Sequence, residues 1–147
     1  MKPFNPDIVV ARIAEKTDCF RHISVAPGIG YIPRLPELAT PGAYVLYPEE
    51  SRLERPTGMG TFGVSVRVGI AVVVAFAADM RGQKSPPGHD VFELVGKVRA
   101  AMTGWMAPDK ERKTAAPYFE SGGIGLDNDS ILVWVDYWKF PSAIRSQ

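Results

Sequence analysis

The sequence predicts an α/β (α+β) fold: a mixed, mainly antiparallel sheet of about four to five strands with two main helices packed on one face. Three observations lead there. Phe62, Val64, Val66, Val68, Ile70, Val72, Val74 and Phe76 repeat at period two, the spacing of one face of a long strand. Val91, Leu94, Val95, Val98 and Met102 recur at the spacing of one helix face. A shorter apolar stripe, Val9, Val10, Ile13 and Ala14, marks a first helix that needs a sheet to lie on. At 147 residues the chain is expected to form one domain, residues 1–147.

Asn5 followed by Pro6 is a capping residue followed by the residue best suited to the first helical position, so a helix is expected from about Pro6 to Lys16, with Arg12, Glu15 and Lys16 facing water. Phe20 to Val25 reads as a short strand. Pro27, Gly28, Gly30, Pro33 and Pro36 then forbid regular pairing, and a loop with one turn near Pro36 to Ala39 is expected. Ala43 to Tyr47 restores an apolar run and reads as a strand. Pro48 to Thr61 is polar and turn-rich, longer than most hairpin connections.

Opposite the apolar face of Phe62 to Phe76, the other face changes from polar at Ser65 and Arg67 to small and apolar from Gly69 to Ala75. That second half is expected to be covered on both sides. After a polar connection, Asp79 to Gly88, Asp90 and Glu93 form a capping-box-like pair and Gly104 occupies a left-handed C-terminal position, which bounds the second helix. Trp105 to Thr114 reads as a charged loop and Pro117 to Ser121 as a short strand. Gly122-Gly123 and Asp127-Asn128-Asp129 mark turns, and Ile131 to Phe140 is a final strand, apolar on both faces apart from Asp136 and Lys139.

Composition narrows the function. With 17 Lys+Arg against 16 Asp+Glu the formal charge is +1, too balanced for binding nucleic acid by charge alone. The single Cys19, with His22 and His89, cannot build a Cys/His zinc site. The apolar run Ile70 to Ala78 falls far short of the roughly 20 residues of a membrane-spanning helix, and Met1 to Arg12 lacks the apolar core of a secretion signal. Neither a cofactor nor a membrane is expected, and the protein is expected to remain in the cytoplasm that makes it.

Each chemical motif has a plainer reading. Gly58-Met59-Gly60-Thr61-Phe62-Gly63 has the spacing of a dinucleotide-binding turn, but a strand follows it where a helix must open. Asp127, Asn128 and Asp129 begin like a calcium loop, yet Leu132 and Trp138 occupy its glycine and carboxylate positions. A dyad of Cys19 or Ser24 with His89 lacks any recognisable orienting group or oxyanion donor. Asp136 stands alone in an apolar strand, either as a paired acid or as one end of an intersubunit salt bridge with Arg67 or Arg99. Trp105, Trp134, Tyr137, Trp138 and Phe140 divide between core and interface anchor.

The helix Val91 to Met102 running into Gly104-Trp105, then Pro117-Tyr118, Gly122-Gly123, the turn Asp127 to Asp129 and the closing Val133-Trp134-Val135-Asp136 resemble the tail terminator family of long-tailed bacteriophages, in the variant of Mu-like and related phages. Upstream, a short helix, a strand, a loop and a long strand keep the same order. The stretch Pro27 to Pro36 and the charged insert Asp109 to Lys113 depart from the pattern.

The resemblance implies a structural virion protein without enzymatic activity. It implies a homo-oligomer, a hexameric ring at the head-proximal end of the tail, assembled in the host cytoplasm. Such a ring stops tube polymerisation, contacts the tail tube protein and the neck or connector protein, and lets DNA pass without sequence-specific binding. Candidate contacts for subunits, tube or neck are Glu49, Glu50, Arg52, Glu54, Arg55, Arg67, Arg81, Lys84, Asp136 and Trp138. The alternatives are another tail or neck completion protein, or a small hydrolase or transferase using His22 or His89.

Overall fold

A computed structural model describes residues 2–36, 38–52, 61–78, 84–85, 91–109, 112–128 and 130–145. Helix α1 is Asp7–Lys16, entered as the sequence predicts: the Asp7 backbone N–H donates to Asn5 Oδ1 at 3.0 Å, and Pro6 is already helical at φ −66. Val9 and Ile13 are buried and Val10 half-buried, while Ala14 is exposed. Strand β1 is His22–Ala26, β2 is Gly42–Leu46 and β3 is Glu49–Arg52. Strand β4, Thr61–Ala75, is the long period-two segment, and the two-residue strands β5 (Ala77–Ala78) and β6 (Lys84–Ser85) follow it.

Helix α2 is Val91–Met102, with Val91, Leu94, Val95, Val98, Ala101 and Met102 buried. Gly104 takes φ +74, the left-handed conformation expected past its end. The Asp90 cap lies outside the described residues. Strands β7 (Arg112–Thr114), β8 (Tyr118–Asp127) and β9 (Ile131–Arg145) complete the chain.

Among the described residues the main sheet has seven strands in the order β1-β2-β4-β9-β7, with β3 beside the first half of β4 and β8 beside the first half of β9. Only β1 and β2 pair in parallel, so the sheet is mixed and mainly antiparallel. The strand count exceeds the expected four to five because β3 and β7 are short and charged, and neither presents an apolar alternation.

Even-numbered residues of β4, from Val64 to Val74, face α1 and α2, and with Phe4, Trp138 and Phe140 they form the larger core. Odd-numbered Ala71 and Val73 join Tyr44, Leu46, Val133 and Val135 in a second core on the opposite face. What covers this second face is the Pro-rich stretch. It contains a 3-10 helix, Ile29–Arg34, in place of the expected loop, and its Ile32 is fully buried. A 3-10 turn tolerates Pro33 because so short a helix leaves most backbone N–H groups without an internal acceptor in any case.

Two further expectations are corrected. Gly122-Gly123 is not a turn: β8 runs through it, with register shifts between Phe119 and Ser121 and between Ile124 and Leu126. Arg12 does not simply face water, because its Nε donates to the Ala101 carbonyl at 2.8 Å and its guanidinium lies 5.5 Å from the Trp105 ring centroid. It satisfies one of the carbonyls that the end of α2 leaves open and ties the two helices together.

Candidate functional site

Two arginine clusters flank the β8–β9 hairpin, one on each face of the sheet. On the helix-bearing face, Arg99 of α2 grips Asp136 of β9 with two parallel hydrogen bonds, Nε to Oδ2 at 2.7 Å and Nη2 to Oδ1 at 2.9 Å. Trp134 Nε1 adds a third donor to Oδ1 at 2.9 Å. Asp136 is 2% exposed, so its charge is compensated almost entirely by these partners. The hydrogen bond to Asp136 holds the Arg99 guanidinium more firmly protonated than usual.

Gly122 lies opposite Asp136 in β8, where any β-carbon would collide with Asp136 Oδ1 and press on Arg99 Nη2. The glycine therefore makes room for the fork. Around it the aromatic rings close up: Phe92 meets Trp134 edge-on at 5.7 Å, Phe119 meets Trp138 edge-on at 5.9 Å, and the Arg99 guanidinium lies 4.6 Å from the Phe119 centroid.

The other cluster occupies the half of the opposite face that the Pro-rich stretch leaves uncovered. Arg67 of β4 stacks 3.7 Å above the Tyr137 ring and donates Nε to Glu120 Oε2 at 2.8 Å. Glu49 Oε2 is 3.8 Å from Arg67, and Lys139 Nζ is 3.8 Å from Glu120 Oε1. The hydrogen bond to Glu120 is again the main reason that the Arg67 guanidinium holds its proton more firmly than usual. Two cations and two carboxylates balance here, on side chains that keep about a third or more of their surface in water.

The structure brings together Glu49 and Arg67 from the sequence candidates. Glu50 and Arg52 share β3 with Glu49, all exposed, and the Glu50 carboxylate accepts the Phe4 backbone N–H at 2.6 Å. Lys84 lies in β6, while Glu54, Arg55 and Arg81 are outside the described residues. Asp136 and Trp138 are buried, and the Arg99 that pairs with Asp136 belongs to the same chain, so the paired-acid reading describes it. Sequence reasoning missed Glu120 and Tyr137 as Arg67 partners. The Asn128 turn, where Oδ1 accepts from Ser130 N at 2.7 Å and Ile131 N at 2.8 Å, opens the hairpin, but Tyr137 comes near Arg67 through the β4–β9 pairing and β8 shifts register at Glu120, neither of which the turn residues signal.

Neither cluster contains a nucleophile. Cys19 packs against the larger core, and burial pushes its thiol up, which disfavours the reactive thiolate. His22 packs at a tilt against Tyr44 on the other face, 5.9 Å between centroids, and His89 lies outside the described residues. Strand β4 already begins at Thr61, inside the glycine motif, where a dinucleotide turn would have to open a helix. Among the described residues no group of three or more His, Cys, Asp and Glu side chains is arranged to hold a metal ion. No described helix is long and apolar enough to cross a membrane.

The two clusters set fixed charge and aromatic rings on the two faces of the β8–β9 hairpin. A search of curated proteins finds no match. The family described as phage tail terminator protein matches residues 1–146, the order of elements set out above from first helix to last strand, and the chain therefore belongs to the phage tail terminator family.

Proposed function

We propose that this protein caps the head-proximal end of the phage tail tube as a closed ring of identical subunits, six if the family likeness extends so far, stops tube polymerisation and presents a joining surface to the neck. Membership of the family carries this reading, and gives the chain a structural, non-enzymatic role in the virion tail in contact with other tail and head components.

A cap needs different surfaces above and below. Arg52 pairs with Val64 near one end of β4, and Lys84 pairs with Ala78 just past the other. The 15 residues of β4 separate those ends by roughly 45 to 50 Å. If the strands run along the ring axis, Glu49, Glu50 and Arg52 of β3 serve one axial surface and the β6 end, with Lys84, the other. Arg67 then lies on the sheet between them, and Asp136 and Trp138 hold the wall behind it. A net charge of +1 suits a lumen through which DNA slides without being gripped.

Deleting the gene should yield headless tails of uncontrolled length, counted by electron microscopy. Replacing Arg52 and Arg55 by Glu should leave the subunit folded and reproduce that defect in part, because mixed charge fixes register more than raw affinity. Tails of normal length, joined to heads, in the deletion strain would overturn the proposal.

A further inference from the structure

We infer that the ring closes laterally by sheet extension, the outer edge of β8 in one subunit pairing antiparallel with the outer edge of β1 in the next copy of the same chain. The inference rests on the ring reading above and assigns its subunit contact. Among the described residues β1 pairs only with β2 and β8 only with β9, so the sheet ends in two open edges. Following the pairings across the sheet, β8 runs opposite to β1. Rotation about an axis along the strands preserves strand direction, so β8 of one copy meets β1 of the next antiparallel, the more stable ladder.

Side chains at the two edges are complementary. Antiparallel pairing sets the start of β1, with exposed Arg21 and His22, against the end of β8, with exposed Asp127. On the helix-bearing face of β8, Ile124 is 62% exposed and Phe119 45%, large apolar surfaces at a sheet margin. The half-buried Ile23 and Val25 of β1 lie on the same face, and α1, which packs over β1, turns the small Ala11 and Ala14 outward. Those small side chains leave room for the neighbour's Ile124 and Phe119.

Cysteine pairs test the contact directly. In a Cys19→Ser background, Val25→Cys combined with Ile124→Cys probes one face. Ser24→Cys with Gly123→Cys probes the other face in the register displaced by two residues, where a β-carbon at Gly123 meets open space. Oxidation of assembled rings, with tube ends present, should give a ladder of covalent oligomers of this chain that ends at the closed ring, and none from the single cysteines. Ile124→Glu should melt as the native subunit does while raising the concentration for half-assembly by about tenfold or more. Rings that form but cross-link through neither pair, or cross-links to the tube protein alone, would overturn the edge assignment and leave the ring standing. A protein that stays monomeric at tube ends would remove the ring reading, and this inference with it.

Discussion

Arg99 and Arg67 are the same residue set against the same kind of partner, a carboxylate on the β8–β9 hairpin, with nearly equal shortest distances of 2.7 and 2.8 Å. They differ in the acid they hold. The Asp136 side chain is 3% exposed and that of Glu120 is 32% exposed. A buried carboxylate stripped of its donor has no water to turn to, whereas an exposed one exchanges a side-chain partner for solvent at little cost. Distance alone therefore does not separate a structural pair from an adaptable one; the dielectric surroundings do. One cluster locks α2 to the sheet, and the other leaves charges on a surface where a partner can use them.

The largest effect should come from breaking the buried pair. Arg99→Met leaves Asp136 with Trp134 as its remaining side-chain donor and should lower stability by about 2 to 3 kcal/mol. For a chain of this size that corresponds to about 6 to 12 °C in Tm. Combining it with Asp136→Leu should recover much of the loss, since no buried charge is then stranded. A denaturant-melt double-mutant cycle measures the coupling, and additive effects of the two substitutions would refute the pairing as the origin of the loss.

Gly122 sharpens the same comparison from the backbone side. Glycine to alanine in a strand ordinarily gains a few tenths of a kcal/mol by restricting the unfolded chain. At Gly122 the added methyl must displace the Asp136 carboxylate, and a loss of about 1 to 2 kcal/mol is expected. Gly123→Ala, whose methyl meets open space, is the control and should be neutral or slightly stabilising. In an Asp136→Ala background the Gly122→Ala penalty should largely vanish. If it persists there, strand geometry and not the carboxylate accounts for the glycine.

The sequence made β4 and α2 legible because each carries an unbroken periodic stripe that only one secondary structure can bury. It hid β3, whose residues Glu49, Glu50, Ser51 and Arg52 are all exposed, so alternation between faces leaves no trace in their polarity. The continuity of β8 was hidden by Gly122-Gly123, which resembles a turn, whereas Gly122 serves clearance beneath Asp136, a requirement set by β9 and visible only in three dimensions. The uncovered face follows the same logic. Glu49 and Arg67 stood out as charges near a strand, whereas Glu120 comes beside Arg67 only through the register shift between Phe119 and Ser121. A local irregularity decided a long-range pair.

The smallest effect should come from Arg67. Its removal in Arg67→Met leaves Glu120 with Lys139 nearby and water on its exposed side, and the stacked Tyr137 keeps an apolar cover from the methionine. A loss of about 0.5 to 1 kcal/mol is expected, no more than an ordinary exposed pair contributes. Salt separates the two clusters further. Raising the salt concentration from about 0.05 to 0.5 M shortens the screening length several-fold, so it should erase most of the difference between Arg67→Met and the native protein. The Arg99→Met difference should stay within about 0.5 kcal/mol of its low-salt value, because bulk ions cannot reach Asp136. Equal salt sensitivity in both variants would mean that burial does not distinguish the pairs. The Arg67 network would then have to be read as a structural lock like its counterpart, leaving no adaptable charge on the open face.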